Sequence, residues 1–174
     1  MEGYHLFATY PKTLQPMTPT QLCRKVPGEE RWTAYRSYYY PEFPPRGPFH
    51  PDMTKDEQQN SVLFNVFPSF VIAVAANYTL YLCLRPNGPN KVGIRWGVCG
   101  LKTDPSDPEV IAYVNLCKAF NEEDREKLET LQLAQRTQFY HSGPLAPDDL
   151  EGTIWDFLGY MGRMLGSDKQ LENH

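Results

Sequence analysis

The sequence has little of what would direct a protein to a membrane or to nucleic acid. No apolar segment of the secretory type follows Met1, and the longest apolar run, Val62 to Ala76, is interrupted by polar residues and proline. That run also falls short of the roughly 20 residues that a membrane span requires. No run of Lys or Arg occurs and the net charge is −4, which does not suit a nucleic-acid backbone. We therefore expect a cytoplasmic protein with no membrane segment and no nucleic-acid partner.

The sequence also lacks a cysteine pattern for binding metal. There are four cysteines, with no Cys-x-x-Cys pair among them and no histidine two or three positions after any of them. Zinc and iron–sulfur sites built on cysteine need such spacing. We expect all four to be buried or inert thiols. They are Cys23, Cys83, Cys99 and Cys117.

Proline, by contrast, is abundant, with 16 among 174 residues and a cluster from Pro41 to Pro51. Because proline has no backbone N–H, this cluster can form neither a central strand nor a helix, and it is predicted to be a loop or lid. The length and the 41% hydrophobic content suit a single domain over residues 1–174.

Alternating apolar residues predict antiparallel strands in the first part of the chain. The clearest pattern is a hairpin, in which residues 78–84 and 92–98 alternate in polarity on either side of a Pro/Asn/Gly turn. An aromatic-rich strand is expected over residues 31–40. The run from Val62 to Ala76 is expected to supply one further strand, with Pro68 near its start or at a bulge. Residues 53–60 suit a short polar helix or turn.

Two helices are predicted after the strands. Asp107-Pro108 is a typical helix start, an N-cap followed by proline. The second helix is expected to begin near Asp148 or Asp149. The first helix carries a stripe of Val110, Val114, Cys117, Asn121, Asp124, Leu128, Leu131 and Gln135. The residues expected to face inward from the second are Leu150, Ile154, Phe157, Leu158, Met161 and Leu165.

Strands followed by helices indicate an α+β domain, in which helices cover one face of an antiparallel sheet. Such an arrangement can enclose a cavity for an apolar ligand. The aromatic residues of the strands are candidates for its walls, although they could equally be ordinary core. They are Phe64, Phe67, Phe70, Tyr81 and Trp96.

Asp124 is the residue that most suggests chemistry. It shares a helical stripe with Cys117, and a carboxylate on an apolar face is costly unless it is paired, hydrogen-bonded or bound to a metal. The alternative is that the helix breaks at Asn121, which would then be an N-cap, with Asp124 complementing the helix dipole. His5, taken alone, is of the kind usually found on the surface.

Three separated segments together resemble a known family. Residues 2–5 and 9–11, Glu-Gly-Tyr-His and Thr-Tyr-Pro, are similar to the motif Asp/Glu-x-Tyr-His-x-x-x-Thr-His-Pro. That motif forms the metal-binding helix in the α-subunit catalytic domain of Rieske-type ring-hydroxylating oxygenases. The resemblance continues over residues 121–132, where the family carries its ligand aspartate on a helix. It ends at residues 143–157, which are similar to the closing helix of many α subunits.

This resemblance implies a helix-grip, START-like fold, in which an antiparallel sheet packs against a long helix and a C-terminal helix. It also implies a mononuclear ferrous iron held by two histidines and one carboxylate. By position, His5 and Asp124 would be metal ligands, with Tyr10 in the place of the second histidine. Glu2 would be the catalytic carboxylate that, in the family, bridges the iron histidine to a neighbouring subunit's Rieske cluster.

The chain departs from the family pattern in two respects. Tyr10 would have to lose a proton of pKa about 10 before it bound iron well, or it could simply pack and leave two ligands, with His50 a conceivable replacement. The Rieske Cys-x-His and Cys-x-x-His pairs are also absent, as are the opening strands. We therefore expect a partial domain that lacks its first elements, with the 2Fe-2S cluster in another domain or a partner.

The implied function is that of an oxidoreductase of aromatic-compound catabolism. A non-haem iron dioxygenase or monooxygenase of this type hydroxylates an apolar, ring-containing substrate with O2. Its electrons come from NAD(P)H through a reductase and a Rieske-bearing partner. We expect no turnover by this chain alone. The alternatives are a metal-free module that binds a hydrophobic small molecule, and an inactive remnant. Missing strands would expose apolar edges and so favour a homo-oligomer.

Overall fold

The computed structural model describes residues 5–43 and 47–171, with side chains as far as residue 166. Six strands form one antiparallel sheet, and helices pack against it, which confirms the predicted α+β class. Each strand pairs with its neighbours in sequence, so the sheet order is β1-β2-β3-β4-β5-β6. The strands are β1 (Cys23–Glu29), β2 (Trp32–Tyr38), β3 (Asn60–Val66), β4 (Phe70–Val74), β5 (Tyr78–Pro86) and β6 (Val92–Gly100).

The predicted hairpin is confirmed as β5 and β6, with Leu80 opposite Val98 and Leu82 opposite Trp96. Gly88 lies in its turn at φ +82°, a conformation that glycine adopts without steric cost. The expected strand over residues 31–40 is confirmed as β2.

The prediction of a single strand from residue 62 to residue 76 is wrong, because β3 and β4 form a hairpin there. Pro68 lies in the turn between Val66 and Phe70, where the missing N–H costs no ladder hydrogen bond. The edge strand β1 was not predicted. It contains Pro27, and its register with β2 shifts between Val26 and Glu29.

The structure agrees with the loop predicted for the proline cluster in the parts that it describes, since residues 41–43 and 47–51 contain neither strand nor helix. Within residues 53–60 the structure has one short 3₁₀ turn, Glu57–Gln59, as expected for a polar turn.

The helices are α1 (Leu6–Thr9), α2 (Pro108–Ala134) and α3 (Asp148–Leu171). The start of α2 is as predicted, since the Asp107 side chain accepts a hydrogen bond of 2.8 Å from the backbone N–H of Glu109. The helix runs unbroken through Asn121, so the alternative of a break at that residue is wrong. In the part of the chain that the structure describes, no helix is long and apolar enough to cross a membrane.

One face of the sheet packs against α1 and α2. The centre of this core includes Leu6 and Tyr10 near the chain start and Cys117 and Phe120 from α2. Beyond Asp124 the predicted stripe of α2 leaves the core, because Leu128 and Leu131 are both more than half exposed. The sheet contributes Cys23, Tyr35, Leu63, Val71, Leu80 and Leu82.

The first turns of α3 are fastened to β1 and β2. Lys25 Nζ contacts Asp148 Oδ1 at 2.7 Å and Asp156 Oδ2 at 3.1 Å. Thr33 donates a hydrogen bond of 2.6 Å to Asp156. At Gly152 an added Cβ would lie 2.7 Å from Lys25 Cδ, so glycine allows this close approach.

The predicted inward face of α3 is only partly right. Ile154, Phe157 and Met161 are partly buried, but Leu158 and Leu165 are more than half exposed. Leu150 is also exposed. The backbone at Glu151 is not helical, with φ −114° and ψ 18°, so Leu150 does not continue the helical period of the residues that follow it.

The aromatic residues proposed as cavity walls lie in three different environments. Trp96 packs against the core. Phe67, in the β3–β4 turn, packs instead against two aromatic rings of α3 at 5.5 and 5.2 Å. Phe64, Phe70 and Tyr81 point to the opposite face of the sheet, as the strand register dictates.

Candidate functional site

The site lies where the single turn of α1 meets α2. Tyr10 ends α1 and is only 6% exposed. Its ring meets Phe120 edge-on at a centroid distance of 6.3 Å, and its hydroxyl donates a hydrogen bond of 2.7 Å to Asp124 Oδ1. The structure therefore brings Tyr10 and Asp124, two of the residues named from sequence, into direct contact.

The electrostatics of this pair keep the proton on Tyr10. Burial, followed by the charge of Asp124 and the hydrogen bond to it, raises the pKa of Tyr10 far above its usual value. Burial also raises the pKa of Asp124, while the hydrogen bond from Tyr10 opposes that rise. At neutral pH Tyr10 is consequently a neutral phenol that donates a hydrogen bond to Asp124.

A second contact holds the same two segments together. Thr13 Oγ1 donates to Glu123 at 2.5 Å, and the backbone N–H of Lys12 donates to the other oxygen of Glu123 at 3.2 Å. Glu123 therefore fastens the segment after α1 to α2. Sequence reasoning did not identify this role, since nothing in the spacing of residues 12, 13 and 123 indicates contact.

His5 precedes α1 and turns toward α3. Its side chain is about half exposed, and its Nδ1 lies 3.7 Å from Glu151 Oε1. Glu151 is buried, and its other oxygen accepts a hydrogen bond of 2.5 Å from the backbone N–H of Ala146. Glu151 was also missed from sequence, because its position at a distortion of α3 has no recognisable pattern.

A two-histidine, one-carboxylate iron site does not fit these residues as they are arranged. Among the described residues, no three side chains of His, Cys, Asp or Glu gather in a way that could hold a metal ion. The Tyr10 hydroxyl, which stands where the second histidine is expected, donates a hydrogen bond to Asp124 Oδ1 instead of offering a lone pair to a metal. His50, the conceivable replacement, lies beside Asp52, with 3.7 Å between Nδ1 and Oδ2. Glu2 lies outside the described residues.

The described part of the chain also includes a small pocket between the β5–β6 hairpin and the start of α2. Its volume is about 30 Å³, and its walls include Asn77, Tyr78, Val98 and Tyr113. That volume accommodates water, whereas sites for organic ligands usually measure about 300–1,000 Å³. The pocket does not include Tyr10 or Asp124.

Sheet, long helix and closing helix together make a helix-grip domain of the oxygenase type. The chain belongs to the family described as "Ring hydroxylating alpha subunit (catalytic domain)", whose model matches residues 1–167. Members of this family are non-haem iron oxygenases that carry their Rieske cluster in another domain. The family resemblance inferred from the three sequence segments is thereby confirmed.

Solved structures support the fold. The quaternary ammonium Rieske monooxygenase CntA in complex with an inhibitor is 13% identical, with a TM-score of 0.68, and the match covers 93% of this chain and 43% of that one. CntA in complex with gamma-butyrobetaine is 14% identical, with a TM-score of 0.64, and the match covers 93% and 41%. The chain thus spans less than half the length of these structures. A search of the curated proteins found no match.

Proposed function

We propose that this chain is the catalytic domain of a ring-hydroxylating oxygenase in which Tyr10 has replaced an iron ligand, and that it does not hydroxylate a substrate by itself. The supporting observation is the 2.7 Å hydrogen bond between Tyr10 and Asp124, which joins the two segments that carry iron ligands in the family pattern. With the phenol protonated, His5 and Asp124 are the ligands that remain. A ferrous site needs more than these two to be held firmly.

We propose that the reaction of this type of domain is the hydroxylation of an apolar, ring-containing substrate by O2. Electrons would come from NAD(P)H through a reductase and a Rieske centre on another domain or chain. In that setting His5 and Asp124 would be metal ligands, and Glu2 would connect the iron site with the Rieske cluster. We also propose that this reaction serves the catabolism of aromatic compounds in the cytoplasm.

A second candidate is a metal-free module that binds a hydrophobic small molecule. The helix-grip architecture favours it, because sheet and helices pack around one apolar face. The pocket of about 30 Å³ counts against it, since that volume is far below what such a ligand occupies.

The test is an oxygenation assay of the wild-type chain and of Tyr10→His. Each is loaded anaerobically with ferrous iron, given a chemical reductant and O2, and offered apolar aromatic compounds and gamma-butyrobetaine in separate reactions. We expect no hydroxylated product from wild type and product from Tyr10→His with an aromatic compound. Steady product formation by wild type would refute the loss of activity. An iron-loaded Tyr10→His variant that oxidises nothing would refute the oxygenase assignment.

A further inference from the structure

We infer that the Tyr10–Asp124 hydrogen bond has the structural role that a metal ion would otherwise have, because it holds α1 against α2 without any ion. This inference rests on the proposed function, because it concerns the same position in the fold. It adds that the domain folds independently of metal and that one oxygen of its Asp124 carboxylate already accepts a hydrogen bond.

The first step of the reasoning concerns which segments are joined. A metal ion bound by residues of α1 and α2 would tie these two helices together through its ligands. Here Tyr10 Oη and Asp124 Oδ1, separated by 114 residues in sequence, make that link directly at 2.7 Å. The bond runs from a neutral donor to a carboxylate, which is a stronger kind of hydrogen bond than one between two neutral groups.

The second step concerns what α1 needs in order to form. It is four residues long, and a helix of that length does not persist in water without tertiary contacts. Its Leu6 is only 2% exposed and belongs to the core, and Tyr10 meets Phe120 edge-on. Thr13, just beyond it, donates to Glu123. These contacts between protein atoms dock α1 on the core and on α2.

The third step concerns access for a metal. A ferrous ion bound through Asp124 Oδ1, or through both carboxylate oxygens, would compete with the Tyr10 hydroxyl for Oδ1. Displacing the phenol would leave a buried hydroxyl without its acceptor, which is unfavourable. The bond therefore stabilises the fold and at the same time opposes metal binding.

The experiment measures urea unfolding anaerobically, in the presence of a chelator and in the presence of ferrous iron. The proteins are wild type, Tyr10→Phe, Asp124→Asn, the double variant and Tyr10→His, with Tyr140→Phe as the matched control on a half-exposed tyrosine. We expect the wild-type midpoint to be the same with chelator and with iron. Tyr10→Phe should lower the midpoint, and Tyr140→Phe should not. The double variant of Tyr10 and Asp124 should lose less stability than the sum of the two single losses, because both substitutions remove the same hydrogen bond. In Tyr10→His the midpoint should rise with iron.

Two results would overturn the inference. One is a wild-type midpoint that rises with ferrous iron. The other is a Tyr10→Phe midpoint equal to that of Tyr140→Phe. If Tyr10→Phe does not fold, Asp124→Asn answers the question instead, since it keeps the size of the side chain and removes the charge that strengthens the bond. The outcome is separable from the proposed function: failure of Tyr10→His to oxidise a substrate would leave these midpoints unchanged.

Discussion

At the scale of single residues, replacing an imidazole by a phenol at position 10 changes what Asp124 can do. An imidazole presents a lone pair to a metal and leaves the carboxylate free to bind the same ion. The Tyr10 phenol presents an O–H instead, and Asp124 accepts a hydrogen bond from it. Tyr10 and Asp124, which the family resemblance places at ligand positions, are therefore the donor and the acceptor of one hydrogen bond.

The energy of this pair can be measured by a double-mutant cycle. We predict a coupling energy between Tyr10→Phe and Asp124→Asn of about 1.5–3 kcal/mol in the free energy of unfolding, in the range of hydrogen bonds to charged groups. The combination of Tyr10→Phe with Thr13→Val, which removes the bond to Glu123, should be closer to additive. A coupling energy near zero for the first pair would contradict the importance of the bond.

At the same scale, the four thiols differ in their exposure to solvent. All are free cysteines; Cys23 and Cys117 are buried and Cys99 is exposed. Burial raises the pKa of Cys117 to about 11, so it is a protonated, unreactive thiol at neutral pH. We predict that a maleimide at pH 7 labels Cys99 and leaves Cys117 unlabelled until urea is added, as read by peptide mass spectrometry. Labelling of Cys117 as fast as Cys99 would show that α2 is not packed as described.

At the scale of secondary-structure elements, α3 depends on Lys25 for its attachment to the edge strand β1. We predict that Lys25→Met lowers the free energy of unfolding by about 1 kcal/mol, as expected for partly exposed ion pairs, and speeds amide hydrogen exchange in the first turns of α3. The matched control is Lys118→Met on the exposed side of α2. Unchanged exchange in α3 would mean that the ion pairs with Asp148 and Asp156 do not hold it.

The same lysine gives a pH dependence with a definite sign. Burial lowers the pKa of Lys25, but hydrogen bonds to Asp148 and Asp156 outweigh it and leave the pKa above the ordinary 10.5. A lysine whose pKa is raised by folding stabilises the fold below its unfolded pKa, and this contribution disappears as pH rises through the folded value. The stability difference between wild type and Lys25→Met should therefore be constant from pH 7 to 9 and shrink above about pH 10.5. A difference that grows there would contradict the assigned ion pairs.

How far the sequence predicted these elements depended on whether the signal was local. The β5–β6 hairpin and the Asp107 cap were predictable because turn chemistry and alternation lie within a few residues of each other. The β3–β4 turn was not predicted, because a proline in an apolar run also suits the start of a strand or a bulge. The position of Leu150 outside the inward face of α3 was not predictable, because the distortion at Glu151 has no sequence signal.

The candidate site shows the same division between local and distant information. Positions 5, 10 and 124 could be named because they align with the ligand positions of the family pattern, from which position 10 departs, and the structure places Tyr10 and Asp124 in contact. Neither the bond between Thr13 and Glu123 nor the approach of Glu151 to His5 could be predicted, since each joins residues more than 100 positions apart. Such contacts follow from the packing of helices on the sheet.

At the scale of the whole molecule, several large apolar side chains are exposed to solvent instead of being covered by other parts of the domain. They occur at the start and on the last turns of α2 and along α3, and exposed apolar surface favours association. The large ones on these two helices are Ile111, Leu128, Leu131, Leu133, Leu150, Trp155, Leu158, Met164 and Leu165.

We predict that the isolated chain self-associates, with a mass above that of a monomer by light scattering and an increase with concentration. Leu131→Glu should shift the distribution toward monomer, because it places a charge on the exposed part of α2. Ala134→Glu, also on an exposed position near the end of α2, is the matched control and should have a smaller effect. A monomer at all concentrations would contradict the proposal of a homo-oligomer.

The measurement that tests the central claim most directly is the iron content after anaerobic loading with ferrous iron and removal of excess metal. Wild type should retain none, because Tyr10 holds Asp124. Tyr10→His should retain about one iron per chain, as a two-histidine, one-carboxylate site does, and adding His5→Ala to that variant should abolish it. Wild-type protein that retains one iron and loses it on His5→Ala would contradict the claim that Tyr10 closes the site.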